Sequence, residues 1–443
     1  MNEQKKPNFT SLLPFLIFII TFLGAGIYFN DFYAFPAPLA VLLGVIVALI
    51  IYKDSVNEKM DTFIKGCGDS KIITMCIIYL LAGGFATVTA AMGGVDAIVN
   101  FGLEFINSNF LALGVFVIAA FLSTASGTSV GCIVALGPIV VGMADKSGAS
   151  LALLSGTLLG GAMFGDNLSM ISDTTIAATQ SLGCDMKDKF KVNLFIALPA
   201  AVLTIVLLVW FGAQTNLDYV VQVDPYNLIK IIPYILIIIL AVSGLNVYIT
   251  LMLGILISGG IGLFYEDFSS LVFFQKIYEG FTSMTEIFLL SMFAGGLAAL
   301  VTKAGGIQYI LNAVKKGIKG KKTAELGIAA IVSTVDAAIA NNTVAIVVTG
   351  DVAKSITEEY ELNNKKTATV MDIFACIMQG LLPYGAQVLF LLKYADNKIS
   401  YLELVANAHY LYILLGVTLL TIFIQPLQNL INKHFKSTTY KDL

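Results

Sequence analysis

Long apolar runs recur along this whole chain, at 12–29, 36–52, 72–90, 110–121, 192–211, 231–242, 247–264, 287–300 and 404–424, and several approach or exceed membrane-spanning length. A helix of about 20 apolar residues crosses the ~30 Å of hydrocarbon in a bilayer. In lipid the backbone must satisfy its own hydrogen bonds, which leaves helices and closed barrels as spanning structures. A barrel would alternate polar with apolar residues, and these runs do not. Of the 443 residues, 57% are hydrophobic and 12% charged, about half the charged share of an ordinary soluble domain. The chain reads as an all-α, polytopic membrane protein with about 10–12 spans. The basic start, with Lys5 and Lys6, is followed by no small-residue cleavage site, so the first run reads as a retained span rather than a signal peptide.

Composition removes several classes of activity. The five cysteines have no metal-ligand spacing and the two histidines, His409 and His434, are too few for a histidine-based centre. No phosphate-binding loop is present, which argues against ATP-driven transport. All 26 basic residues are lysine, so guanidinium clamping of a phosphate or carboxylate is excluded. With a net charge of −3, nothing points to nucleic acid, and no cofactor is expected. A membrane enzyme would need a nucleophile and base near an interface, and neither histidine sits near the polar motifs. A channel would favour one continuous polar pore.

Residues 81–100 align without gaps to residues 293–312, sharing both Gly pairs, Ile98/Ile310 and Asn100/Asn312. Downstream, Ser123-Thr124 resembles Ser333-Thr334 and Thr128-Ser129-Val130 resembles Asn342-Thr343-Val344, while 164–167 lines up loosely with 384–387. The loop after the first Gly pair carries Asp96 and Glu104, and its equivalent carries Lys315, Lys316, Lys319, Lys321 and Lys322. Cytoplasmic loops are lysine-rich, so equivalent loops of opposite charge indicate two inverted-topology repeats. The expected organisation is N-terminal transmembrane helices at 1–60, a first repeat at 61–212, linking helices at 213–268, a second repeat at 269–432 and a tail at 433–443. Both termini are expected in the cytoplasm of a bacterial cell, with the body in the cytoplasmic membrane.

Two apolar segments are interrupted by small polar groups at corresponding places, 121–138 and 331–351. Ser123, Thr124, Ser126, Thr128 and Ser129 in one, and Asp336, Asn341, Asn342 and Thr343 in the other, can partner backbone groups freed by a broken helix or bind a cation. They can equally serve close helix packing. The stretch 161–175, GAMFGDNLSMISDTT, adds two carboxylates. Asp166, Ser169 and Asp173 fall at i, i+3 and i+7, which places them on one helical face with Asn167 and Thr174 beside it. That set suits dehydrated Na⁺ at Asp166 and Asp173, or protons, and the alternative is an N-cap at Asp173-Thr174-Thr175. Gly156, Gly160, Gly161 and Gly165 leave one side thin enough for another helix or a substrate. Gln379, Tyr384 and Gln387 form the uncharged counterpart in the second half. Lys303, Glu286 and Asp372 read as solvated or snorkelling groups near an interface.

The segment FGDNLSMISDTT, 164–175, with GTSVG upstream, resembles the NhaC-type Na⁺/H⁺ antiporter family, whose pattern is GDK-x-SP-x-SDTT. The resemblance implies a transport core containing Asp166, Ser169, Asp173, Thr174 and Thr175, alongside the discontinuous helices read from the two polar interruptions. Asn167 stands where lysine is common and Met170 where proline is common. Loss of that positive charge would leave Asp166 freer for a cation. The expected activity is Na⁺/H⁺ antiport by alternating access, with Na⁺- or H⁺-coupled transport of an amino acid or small carboxylate as the alternative. The partners expected are membrane lipids, Na⁺, H⁺ and a second copy in a homodimer.

Overall fold

A computed structural model describes residues 8–29, 35–105, 108–214, 224–243, 245–396 and 398–435. Lys5, Lys6 and most of the 433–443 tail lie outside the described residues. The first half contains α1 (Leu13–Tyr28), α2 (Ala37–Ile51), α3 (Val56–Cys67), α4 (Ser70–Ala91), α5 (Gly94–Phe105), α6 (Leu111–Ser126), α7 (Ser129–Ser147), α8 (Leu151–Leu168), α9 (Asp173–Leu182) and α10 (Met186–Gln214). The second contains α11 (Ile232–Val242), α12 (Val247–Phe264), α13 (Ser270–Ser283), α14 (Thr285–Lys303), α15 (Gly306–Lys315), α16 (Lys321–Ile339), α17 (Asn342–Glu359), α18 (Asn364–Leu381) and α19 (Ala386–Ala395), then α20 (Tyr401–Ala406), α21 (His409–Phe423) and α22 (Gln425–His434).

Among the described residues, seven stretches are long and apolar enough to cross a membrane, and α21 with α22, bent by 86°, makes an eighth if taken together. Shorter apolar helices at Ala37–Ile51, Leu111–Ser126 and Leu228–Leu240 account for much of the difference from the 10–12 spans read from the sequence. These are runs that the chain interrupts or ends before full span length. The outward face of α10 exposes Leu198, Val202, Leu203, Val206 and Trp210, as expected of a surface bathed in lipid rather than water.

The two halves repeat at the level of single residues. Helix α8 and helix α18 are both 18 residues long, and their starts, Leu151 and Asn364, are 213 residues apart. Helices α9 and α19 are both 10 residues long with the same separation, Asp173 to Ala386. Left-handed backbone recurs in step: Gly93 with Gly305, Gly127 with Ala340, Gly148 with Glu361, and Gly183 with Asp396. This register corrects the looser downstream alignment read from the sequence. Asp166 corresponds to Gln379 rather than Ala386, Asp173 to Ala386, and Ser129 to Asn342. Helix lengths without insertions fix the register more strongly than scattered identities such as Val130/Val344 and Gly165/Gly385.

Helix α6 ends at Gly127, in left-handed conformation with φ 70°, and α7 begins after Thr128, whose hydroxyl accepts from the Gly131 amide at 3.2 Å. The second half ends α16 at Ala340, φ 55°, and starts α17 after Asn341, whose side chain accepts from Val344 N–H at 2.9 Å. Both polar interruptions are therefore real helix breaks, each with a residue that caps the new helix. The glycines of α8 bring α6 close. A Cβ at Gly165 would stand 2.4 Å from Thr124 N and 2.6 Å from Ala120 O, and one at Gly161 would stand 2.6 Å from Phe116 O. The thin side expected from Gly161 and Gly165 is occupied by a neighbouring helix.

Candidate functional site

The helix breaks of both halves meet around one cavity of about 310 Å³. Its wall takes Thr128 and Ser129 from the start of α7, Ser172, Asp173 and Thr174 from the start of α9, Asn341, Asn342 and Thr343 from the start of α17, and Gln387 from the first turn of α19. Asp166 and Gln379, the paired positions near the ends of α8 and α18, complete the polar wall. Ser70 and Lys71, both exposed, line its mouth. Four helix N-termini thus direct their partial positive charge at one space, while the ends of α8 and α18 bring carbonyl-rich termini to it.

Asp166 is the best-held group in that wall. It is 6% exposed and accepts from Ser129 Oγ at 2.6 Å, Ser129 N at 3.2 Å and Ser172 Oγ at 2.6 Å. Ser129 Oγ accepts in turn from Gln387 Nε2 at 3.0 Å, and Gln387 Oε1 accepts from Gln379 Nε2 at 3.1 Å. A relay of hydrogen bonds therefore runs from the carboxylate in the first half to its structural counterpart in the second. A buried carboxylate needs such donors or a cation, because unpaired charge in a low-dielectric interior is costly. Three donors, two of them short, hold Asp166 without neutralising it, which leaves it suited to a small cation or a proton.

Of the residues singled out from the sequence, Thr128, Asp166, Asp173, Thr174, Asn341, Asn342, Thr343 and Gln387 all reach the cavity. Asn167, Ser169, Ser126 and Asp336 do not line it. Asp166, Ser169 and Asp173 do not share a helical face, because α8 stops at Leu168 and Ser169 and Ser172 are extended. Ser169 Oγ instead accepts from Ile171 N at 3.3 Å inside the link. Asp173 is the first residue of α9, exposed to the cavity mouth, and the N-cap position belongs to Ser172. Ser126 lines a separate small cavity of about 30 Å³ with Thr128 and Thr250. Asp336 is fully buried four residues before Ala340, and neither carboxyl oxygen has a hydrogen-bond partner among the described residues.

Behind Asp166 lies a buried charged pair that includes Asp372, which sequence reasoning placed near an interface. Lys189 is 1% exposed and Asp372 is 0% exposed, and the two form an ion pair. Lys189 Nζ also donates to the Asn167 backbone carbonyl at 3.0 Å and to Thr175 Oγ1 at 2.8 Å. Asn167 thus lacks the lysine common at its position, yet an ammonium from α10 stands against its own carbonyl. Loss of the family lysine does not leave this region without positive charge. A signal for Lys189 was present: it falls in phase with the buried stripe Val192, Asn193, Ile196 and Ala200 of α10, whereas Lys187 and Lys191 are exposed. Glu286 and Lys303 are exposed as expected, and Lys303 donates to Thr62 at 3.0 Å.

The sequence profile of the Na⁺/H⁺ antiporter family matches residues 8–213 and 220–423. The chain is 22% identical over 424 residues to the malate-2H⁺/Na⁺-lactate antiporter of Bacillus subtilis, covering 86% of this chain and 88% of that protein. It is 24% identical over 360 residues to the Na⁺/H⁺ antiporter NhaC of the same organism, covering 73% of this chain and 78% of that protein. It is 23% identical over 433 residues to the arginine/ornithine antiporter ArcD of Halobacterium salinarum, covering 88% and 87%.

Proposed function

Because this chain belongs to the Na⁺/H⁺ antiporter family, and is thus a multi-pass membrane secondary transporter, we propose that it exchanges Na⁺ for H⁺ at Asp166 by alternating access. One observation carries the reading: a buried carboxylate, held by three donors and uncompensated by a cation among the described residues, sits where the α6–α7, α8–α9, α16–α17 and α18–α19 breaks converge. Na⁺ and a proton compete for such a group, since each neutralises it and neither leaves room for the other. Hydroxyl and amide oxygens of Ser172, Thr174, Asn342 and Gln379 stand on the same wall to replace the hydration of a dehydrated ion. Asp173, exposed at the mouth, attracts the cation from solution.

The mouth at Ser70 and Lys71 lies beside the lysine-bearing segment of Lys59 and Lys65, so by lysine bias it faces the cytoplasm. The conformation is then inward-open. Rocking of the two inverted repeats, about 61–212 and 269–432, would close this mouth and open the opposite side. The Asp166–Ser129–Gln387–Gln379 relay spans the seam between them.

A second reading has its own support. The cavity is several times larger than a dehydrated ion, and four helix N-termini with Lys71 at the mouth offer positive potential to a carboxylate. A small amino acid or carboxylate coupled to Na⁺ or H⁺ fits that wall. Vesicles containing the purified protein and an internal pH-sensitive dye distinguish the two. Proton movement on adding Na⁺ alone supports exchange. A response that requires an amino acid or carboxylate as well overturns it in favour of the coupled carrier.

A further inference from the structure

Lys189 makes three contacts to oxygen, and they come from three different helices. Asn167 O belongs to the end of α8, Thr175 Oγ1 to the first turn of α9 and Asp372 to the middle of α18. An ammonium has three donors, so this one is fully used. A carboxylate, a hydroxyl and a helix-terminal carbonyl around one positive charge are also the hard oxygen ligands that alkali and alkaline-earth cations prefer.

A second observation points the same way. Asn167 and Asn193 are both 0% exposed, and the Oδ1 of each has no hydrogen-bond partner among the described residues. Both belong to this cluster: Asn193 Nδ2 donates to the Asn167 carbonyl at 2.5 Å, and Asn167 Nδ2 lies 3.9 Å from Cys376 Sγ, itself 3.6 Å from Asp372 Oδ1. Buried acceptors without a donor are costly unless a cation or water can use them. The cluster thus holds more oxygen than its lysine consumes.

We propose that Asp372, Thr175 and the Asn167 carbonyl form a second alkali-cation site, in which the Lys189 ammonium permanently takes the place of a free ion. The tethered charge keeps this site neutral in every state and leaves Asp166 as the carboxylate that exchanges its partner. Removing the side chain beyond Cβ vacates Cγ, Cδ, Cε and Nζ, and leaves Asp372 to attract a cation from solution. A purely structural lysine predicts no such gain.

The test is ²²Na⁺ binding to the purified full-length protein by equilibrium dialysis. Lys189→Ala is expected to bind one more Na⁺ per chain than the wild type, and Lys189→Ala/Asp372→Asn to lose that gain. Melting of Lys189→Ala in detergent should rise with NaCl and not with choline chloride, while the double variant responds to neither. The comparison is with wild type, so it stands apart from the role of Asp166: a wild type that binds no Na⁺ counts against that role, and a gain in the variant still supports the second site. An unchanged stoichiometry overturns the proposal. So does failure of both Lys189→Ala and Lys189→Met to fold at high NaCl, because Na⁺ is then unable to replace the ammonium.

Discussion

Gln387 donates to Ser129 across 3.0 Å, and the two residues come from opposite halves of the chain. The same Ser129 hydroxyl donates to Asp166 at 2.6 Å. One serine therefore connects the carboxylate of the first half to the amides that occupy the second. A hydrogen bond to a charged group contributes ~1.5–3 kcal/mol. Ser129→Ala is expected to reduce Na⁺-driven proton flux by ~10- to 100-fold and to lower the melting temperature, since Asp166 loses one of its donors and Gln387 an acceptor. Flux within twofold of wild type would show that the relay does not bear on transport.

Competition at a single carboxylate sets a pH dependence. A proton that must leave Asp166 before Na⁺ binds raises the apparent KM for Na⁺ as pH falls. With one proton exchanged per ion, the slope is limited to about one decade per pH unit. Initial rates of dye response between pH 6 and 9 measure it. A KM for Na⁺ independent of pH would mean the two ions do not share the group.

Helix α8 approaches α6 at Gly165, where an added Cβ would meet backbone atoms of Thr124 and Ala120 at 2.4 and 2.6 Å. Backbone cannot rotate aside as a side chain does. Gly165→Ala is expected to destabilise by ~1–3 kcal/mol through overpacking, read as a lower melting temperature in detergent. Because Asp166 is the next residue, flux should fall with it. An unchanged melting temperature would contradict the packing.

Ala340 holds a left-handed conformation, φ 55°, where the equivalent first-half position is Gly127, φ 70°. A side chain in that region costs ~1–2 kcal/mol that glycine does not incur, partly offset by the greater chain freedom of glycine when unfolded. Ala340→Gly is expected to be neutral to stabilising by up to ~1 kcal/mol, whereas Gly127→Ala should be destabilising. Equal losses from both substitutions would argue against the shared break geometry.

Lys366 and Glu325 form a second buried pair, 2% and 8% exposed, with Lys366 Nζ also donating to Thr421 O at 3.0 Å. It ties the start of α18 to α16 and α21, away from the cavity. Breaking such a pair by removing one partner costs ~3–5 kcal/mol. Lys366→Met is expected to lower the melting temperature sharply, and Lys366→Met/Glu325→Leu to recover most of the loss. No recovery in the double variant would mean that the uncompensated carboxylate of Glu325 is not the source of the loss.

Much of this architecture was legible because polar groups are expensive in lipid. The hydroxyls around Gly127 and the Asn341-Asn342 pair marked helix breaks, and Asp166 stood out against a glycine-rich apolar helix. The face shared by Asp166, Ser169 and Asp173 was misread because helical spacing says nothing of where a helix stops. Ser172 followed by Asp173 is an N-terminal signature, and giving it weight would have placed the break. Charge counting alone does not separate Lys189 from Lys187 and Lys191, whereas helical phase does, since only Lys189 falls in step with the buried stripe of α10. The burial of Asp372 had no comparable signal, since α18 is buried on nearly every side, and Asp336 lies in the last turn of α16, just short of the break at Ala340.

The central claim is that Asp166 carries the exchanged ion, and Asp166→Asn tests it most directly. Reconstituted in sealed vesicles beside wild type, the variant should fold, keep the cavity and show no proton movement when Na⁺ is added. Exchange at the wild-type rate in Asp166→Asn would contradict the account, because no charge would then remain on α8 for Na⁺ and H⁺ to contest.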